Sequence, residues 1–196
     1  MSGKVFIAAG LCCMVLAGSL VAYNEVESAQ AAGQAQEILA QVEPLAVKEN
    51  IPDMVPDYEL DPQRELPEQE IDGRAYIGYV EIESLGIELP VLSNAEADGL
   101  RVAPGRYEGS PYTGDMIIAG HNYRSQFGPI GRLQEGDAVR FTDMDGNEFN
   151  YEISRLETIS KYDIEGMKAG DWDLTLFTCT LGGQDRVTVR CVEAEN

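Results

Sequence analysis

The chain carries a single histidine, His121, directly after the apolar run Met116-Ile117-Ile118-Ala119-Gly120. Fifty-eight residues later the run Thr175-Leu176-Phe177-Thr178 ends in Cys179, and Arg186 follows seven residues after that. An imidazole, a thiol and a guanidinium, each at the edge of a β-like run, are the groups that acyl transfer through a thioester requires. A thiol attacks only as its thiolate, and near its ordinary pKa of about 8.5 it is mostly protonated at neutral pH. An adjacent imidazole can take that proton or pair with the thiolate. Arginine stays charged at any working pH and offers a fork of donors for a carbonyl or a developing oxyanion. Taken singly, each residue has a duller explanation: a structural histidine, a core cysteine, an arginine solvating a strand end.

These groups need a rigid frame, and the sequence from Ala75 onward reads as one. Tyr76–Ile82 and Ile87–Leu92 alternate across the Leu85-Gly86 break, and Met116–Ala119 is a short continuous apolar run suited to a buried strand. Ala138–Thr142 and Glu148–Ile159 flank Asp143-Met144-Asp145-Gly146-Asn147, a hairpin signal because Gly and Asn tolerate positive φ. Leu174–Thr178 and Val187–Val192 are joined across Gly182-Gly183. Short helical turns are expected near Ala95–Leu100 and Phe127–Leu133. Seven or eight short strands with little helix predict a mainly β fold, a closed or nearly closed barrel.

Outside that frame the composition changes. The net charge is −20, and residues 24–75 contribute half of it, with 13 acidic and three basic side chains. Such a balance argues against nucleic-acid binding, which needs clustered Lys and Arg. Val5 to Tyr23 is 19 residues without a charge, the length that crosses a hydrocarbon core of ~30 Å as a helix. Lys4 precedes it and Glu25 and Glu27 follow, so the N-terminus is expected in the cytoplasm and the rest outside. A cleaved signal peptide with Ala17-Gly18-Ser19 as its site is the alternative, but apolar residues continue through Leu20-Val21-Ala22. Cys12 and Cys13 read as apolar membrane residues. The expected organisation is a cytoplasmic end and transmembrane anchor over residues 1–23, an acidic linker over 24–74 and a catalytic barrel over 75–196. Within the linker, residues 24–47 read as a helix continuing out of the membrane. Residues 48–72, with Pro52, Pro56, Pro62 and Pro67, read as a spacer, the alternative being an arm packed on the domain. Cys179 and Cys191 could form a bridge on adjacent strands, but two free thiols are favoured, with Cys191 a small core residue.

Three motifs resemble those of the sortases, the membrane-anchored cysteine transpeptidases of Gram-positive bacteria. Ile117-Ile118-Ala119-Gly120-His121-Asn122 is similar to the sortase histidine segment. Thr175-Leu176-Phe177-Thr178-Cys179 matches the family's Thr-Leu-x-Thr-Cys signature. Arg186-Val187-Thr188-Val189-Arg190 resembles its final strand. Gly78-Tyr79-Val80-Glu81-Ile82 and Leu89-Pro90-Val91 resemble its first strands. The resemblance implies an eight-stranded sortase barrel in which Cys179 attacks the Thr-Gly bond of a C-terminal signal such as Leu-Pro-x-Thr-Gly, forming a thioacyl-enzyme. His121 would protonate the leaving amine and Arg186 would hold the oxyanion. Arg186 is preferred over Arg190 because the family carries its arginine at the start of that strand. Ala119 and Thr178 would line the substrate groove. The implied partners are surface-protein or pilin substrates and an amine acceptor such as a peptidoglycan precursor or a pilin lysine, on the wall face of the membrane.

The spacing also narrows the class. The His121–Cys179 interval leaves no room for a large class B insertion, and no Asp-Pro aromatic lid of class C precedes the barrel. With the sequence ending at Asn196, no second membrane helix is expected. A compact class A-, D- or E-like enzyme remains, although the loop from Cys179 to Arg186 is short for most of them. Asp143, Asp145, Glu148 and Asp163 are read as solvated surface, so no metal and no cofactor are assigned. Papain-like thiol peptidases carry cysteine before histidine, and the Ser-His-Gly loop of L,D-transpeptidases is absent. The competing readings are a thiol endopeptidase using water as acceptor, a silent adaptor that binds sorting signals, and a purely structural barrel.

Overall fold

The alternating runs after Ala75 form strands, as their period-2 apolar pattern dictates. The computed structural model describes residues 3–46 and 55–194. Pro52 and the start of the expected spacer, with the extreme ends of the chain, lie outside them. The strands are β1 (Gln69–Ile71), β2 (Arg74–Ile82), β3 (Ile87–Leu92), β4 (Gly105–Glu108), β5 (Met116–Gly120), β6 (Ala138–Asp143), β7 (Glu148–Ser160), β8 (Leu174–Cys179) and β9 (Asp185–Glu193). Their order is β1-β2-β3-β4-β5-β8-β9-β7-β6, and β6 pairs back onto β2. Eight strands, β2 to β9, therefore close a barrel, and β1 extends one edge of β2. Closure removes the free edges that an open sheet would expose.

One bulge sets the phase of β2. The pairing with β3 shifts between Tyr76 and Gly78, so Ile77 and Val80 both point into the barrel despite their odd spacing. Gly78 is required there. Its φ is 144°, and a side chain would collide with the Thr142 carbonyl on β6. The core comprises alternate residues of several strands, among them Val80, Ile82, Met116, Ile118, Phe141, Leu174, Leu176 and Val189.

Helix α1 (Gly3–Val42) is a single 40-residue element. In its first half Phe6, Ile7, Leu11, Met14, Val15, Leu16, Leu20 and Val21 are all exposed, and the stretch is long and apolar enough to cross a bilayer. In its second half the buried residues are Ser28, Ala31, Ala35, Ile38, Leu39 and Val42, the i, i+3, i+4 spacing of one face. Ile38 and Val42 pack with Ile71, Tyr76, Leu92 and Met144 on the outside of the barrel. Helix α1 ends before Pro44, as the residue ahead of a proline avoids helical φ and ψ.

The acidic linker is thus not free of the barrel where it is described. Besides this helical face, Leu66 is buried, β1 joins the sheet and helix α2 (Asp57–Leu60) stacks Tyr58 on Tyr112 with ring centroids 4.9 Å apart. The sequence pattern missed β1 and β4 because each is four residues or fewer, too short for alternation to register.

Candidate active site

Strand register assembles the candidate residues. Strands β5 and β8 are parallel, with Gly120 opposite Thr178, and Thr178 Oγ1 donates to the Gly120 carbonyl at 2.9 Å. One step further along the two strands come His121 and Cys179. Strands β8 and β9 are antiparallel, with Cys179 directly opposite Arg186. The three residues therefore occupy neighbouring positions at one rim of the barrel. Residues two apart share a strand face, and Ile117, Phe177 and Ile159 gather with Met167 of α3 (Ile164–Lys168) in an apolar cluster outside the barrel. By the same alternation, Ala119, Cys179 and Arg186 belong to that outer face. Ala119 is 4% exposed and pairs with Phe177. Thr178 is 2% exposed and braces the two strands from beneath.

His121 is half-buried and held by its own loop. Its N–H donates to Gln126 Oε1 at 3.2 Å, and its carbonyl accepts from the Phe127 N–H at 3.2 Å. Its ring stacks on Tyr123, centroids 3.8 Å apart at 26°. Nδ1 is buried and has no hydrogen-bond partner among the described residues. Burial holds the imidazole below its ordinary pKa; the Glu27 carboxylate opposes that shift and Arg101 adds to it. The Arg186 guanidinium donates through Nη1 to the carbonyls of Asp185 at 3.1 Å and Gly183 at 3.4 Å, within its own turn.

The remaining candidates have different surroundings. Cys191 is fully buried, and burial pushes its thiol up to about 12. It faces Leu174 across the β8–β9 ladder while Cys179 faces Arg186. Five residues of strand separate those positions, about 16 Å, far beyond disulfide reach. Arg190 is 1% exposed and engages four groups: Glu157 at 2.9 Å, Thr175 at 3.0 Å, and the Met167 and Gly166 carbonyls at 2.6 Å each. It ties α3 to the sheet. Asp143, read from the sequence as solvated surface, is instead fully buried; it accepts from the Tyr112 hydroxyl at 2.7 Å and from Asn147 Nδ2 and the Asn147 N–H at 2.9 Å, closing the hairpin turn. Asp163 caps α3 through the Gly166 N–H at 2.8 Å.

A cleft of about 510 Å³ opens beside His121, and part of its wall comes from α1: Asn24, Glu25, Glu27 and Ser28 face Arg101, Tyr123 and Leu181. Sequence reasoning missed this contribution. The amphipathic spacing from Ser28 to Val42 shows that this half of the helix packs on something, but not that its first turn reaches the histidine.

The sequence and the fold have counterparts among known proteins. A sortase domain model matches residues 80–194, well over half of the chain. Sortase D of Bacillus subtilis (strain 168) is 32% identical over 107 residues, covering 52% of this chain and 53% of that protein. Sortase A of Bacillus anthracis is 26% identical over 122 residues, 59% of this chain and 57% of that one. The chain thus spans little more than half the length of these relatives. Among solved structures, a Clostridium perfringens sortase D5 transpeptidase aligns with a TM-score of 0.61 at 22% identity, over 83% of this chain and 99% of that one. Sortase A from Corynebacterium diphtheriae aligns at 0.58 and 22%, over 86% and 85%. The fold agrees with these structures, and relatives of types D and A fit a compact class. With the domain match spanning β2 to β9 and the three motifs, the chain belongs to the sortase family.

Proposed function

We propose that the protein is a membrane-anchored cysteine transpeptidase acting on surface proteins or pilins that carry a C-terminal Leu-Pro-x-Thr-Gly-like sorting signal. The observation that carries this reading is the register at the rim, with Cys179 opposite Arg186 and one strand away from His121. The signal peptide lies along the outer face of β5 and β8, over Ala119 and beside the Ile117–Phe177–Met167 cluster, with Thr178 bracing the strands below. A Clostridium perfringens sortase C solved with its C-terminal cell wall sorting motif supports this substrate class.

The Cys179 thiolate adds to the threonine carbonyl carbon, and the carbonyl electron pair moves onto oxygen as an oxyanion. Arg186 leaves its turn carbonyls to donate to that oxyanion. Collapse breaks the C–N bond, His121 gives its proton to the departing glycine amine, and a thioester remains on Cys179. An acceptor amine, from a wall precursor or a pilin lysine, then loses a proton to His121 as its nitrogen attacks the thioester. The amide forms and the thiolate is released. Residues 1–23 anchor the enzyme with its N-terminus in the cytoplasm, and residues 75–196 work on the wall face. A −20 chain suits that solvated exterior.

The test is peptide cleavage with and without a primary amine, followed by mass spectrometry. The amide product should form only with the amine, and a thioacyl adduct should map to Cys179. Cys179→Ala should lose both while keeping its melting temperature. Cleavage without any amide product would reassign the protein as an endopeptidase, and an active Cys179→Ala would end the proposal.

A further inference from the structure

The loop that follows His121 is bonded to the anchor helix. Ser125 Oγ donates to the Ser28 carbonyl at 2.8 Å, the two hydroxyls are 3.1 Å apart, and the Ser125 N–H meets Ser28 Oγ at 3.4 Å. Ser28 is 8% exposed and Ser125 is half-buried, so the clasp is partly shielded from water. Its neighbour Glu27 shares the cleft with His121 and Tyr123, and the Tyr23 hydroxyl, one helical turn earlier, donates to Glu27 Oε1 at 3.0 Å. Tyr123 in turn covers the imidazole. The Tyr23–Ser28 turn lies where α1 passes from its exposed apolar half to its packed half.

We infer that this membrane-exit turn of α1 is part of the active site, with Ser28 clasping the His121 loop through Ser125 and the Glu27 carboxylate positioning the Tyr123–His121 stack. The inference rests on the reading of His121 as the proton-transfer group. Two consequences follow from the geometry. The membrane anchor and the catalytic loop move as one body, so the cleft is held at the bilayer surface. Glu27 also sets how readily the imidazole is protonated.

The charged and titratable groups around the imidazole are Glu25 and Glu27 of α1, Arg101 of the loop between β3 and β4, and Tyr123 and Arg124 of its own loop. Cys179 and Arg186 complete the set from β8 and β9. Burial disfavours imidazolium first, Glu27 favours it and Arg101 disfavours it. Burial and then Glu27 also hold the Tyr123 phenol above its ordinary range. Removing the Glu27 charge leaves burial and Arg101 unopposed, so the imidazole should protonate only at lower pH.

His121 is the only histidine, so its titration can be read directly. Full-length protein labelled in histidine alone and held in lipid nanodiscs gives one imidazole signal by NMR. Glu27→Gln should lower its midpoint by about half a pH unit, about a threefold change in protonation constant, and Glu27→Asp should restore most of it. Ser125→Ala should lower kcat by about threefold or more, with peptide KM and melting temperature unchanged, and Ser125→Thr should recover it. An unmoved midpoint in Glu27→Gln, or a Ser125→Ala enzyme matching the parent, would overturn the inference. Neither result touches the thioester test on Cys179, so the two ideas fail separately.

Discussion

Two arginines four residues apart on one strand have opposite surroundings, and the difference is chemical. Arg190 is sealed into the sheet, where its guanidinium satisfies two backbone carbonyls, a threonine and Glu157. Arg186 stands opposite Cys179 and, among the described residues, its guanidinium bonds only to carbonyls of its own turn. Arg190→Lys should therefore act on stability, because an ammonium cannot reach four fixed acceptors in a fork's geometry. The expected loss is about 2–4 kcal/mol, read as a lower denaturant midpoint at unchanged m-value. Arg186→Lys should leave that midpoint alone and lower turnover by about 100-fold or more, since one oxyanion donor is worth that much. Equal denaturant midpoints for Arg190→Lys and the parent would contradict the clamp. The sequence offered both arginines, and family position rather than chemistry chose between them.

At the scale of elements, the histidine strand depends on a close approach. Gly120 is the last residue of β5, and any side chain there would overlap the Phe127 ring, which is fully buried in the core. That ring belongs to the same loop whose Gln126 and Phe127 bond to His121. Gly120→Ala should cost about 1–3 kcal/mol through overpacking, and Phe127→Leu in the same chain should recover part of it. Urea unfolding of the single and double variants measures both; a double variant weaker than the single would mean the two residues are not the conflict. The Ile-Ile-Ala-Gly-His run announces a buried strand, yet nothing in its periodicity reveals that Gly120 is small because Phe127 returns over it. Strand β8 was more legible: Leu174 and Leu176 face the core and Cys179 follows at the edge, as alternation predicts.

For the whole molecule, the packed half of α1 carries a pH-sensitive contact at the end opposite its clasp. Glu88 of β3 hydrogen-bonds to Glu43 just beyond the helix, and this bond, with burial and the Glu43 charge, raises the Glu88 carboxyl to about 7. A raised folded-state pKa means that folding favours the proton, so the contact contributes fully below the ordinary glutamate range and is lost as pH rises through about 7. Glu88→Gln, which keeps a donor without the charge, should melt higher than the parent at pH 8, and that advantage should shrink by pH 5. An equal difference at both pH values would remove the carboxyl pair as its cause.

The barrel, the long apolar helix and the strand-edge positions of His121, Cys179 and Arg186 were legible in the sequence because alternation, a charge-free run and short motifs are local properties of the chain. The docking of the linker and the sharing of a cleft by Glu27 and His121 were not, nor was the contrast between Arg186 and Arg190. Those depend on which strand faces and which loops meet after closure. Residues 94 positions apart in sequence share one cleft only because helix α1 packs against the finished barrel.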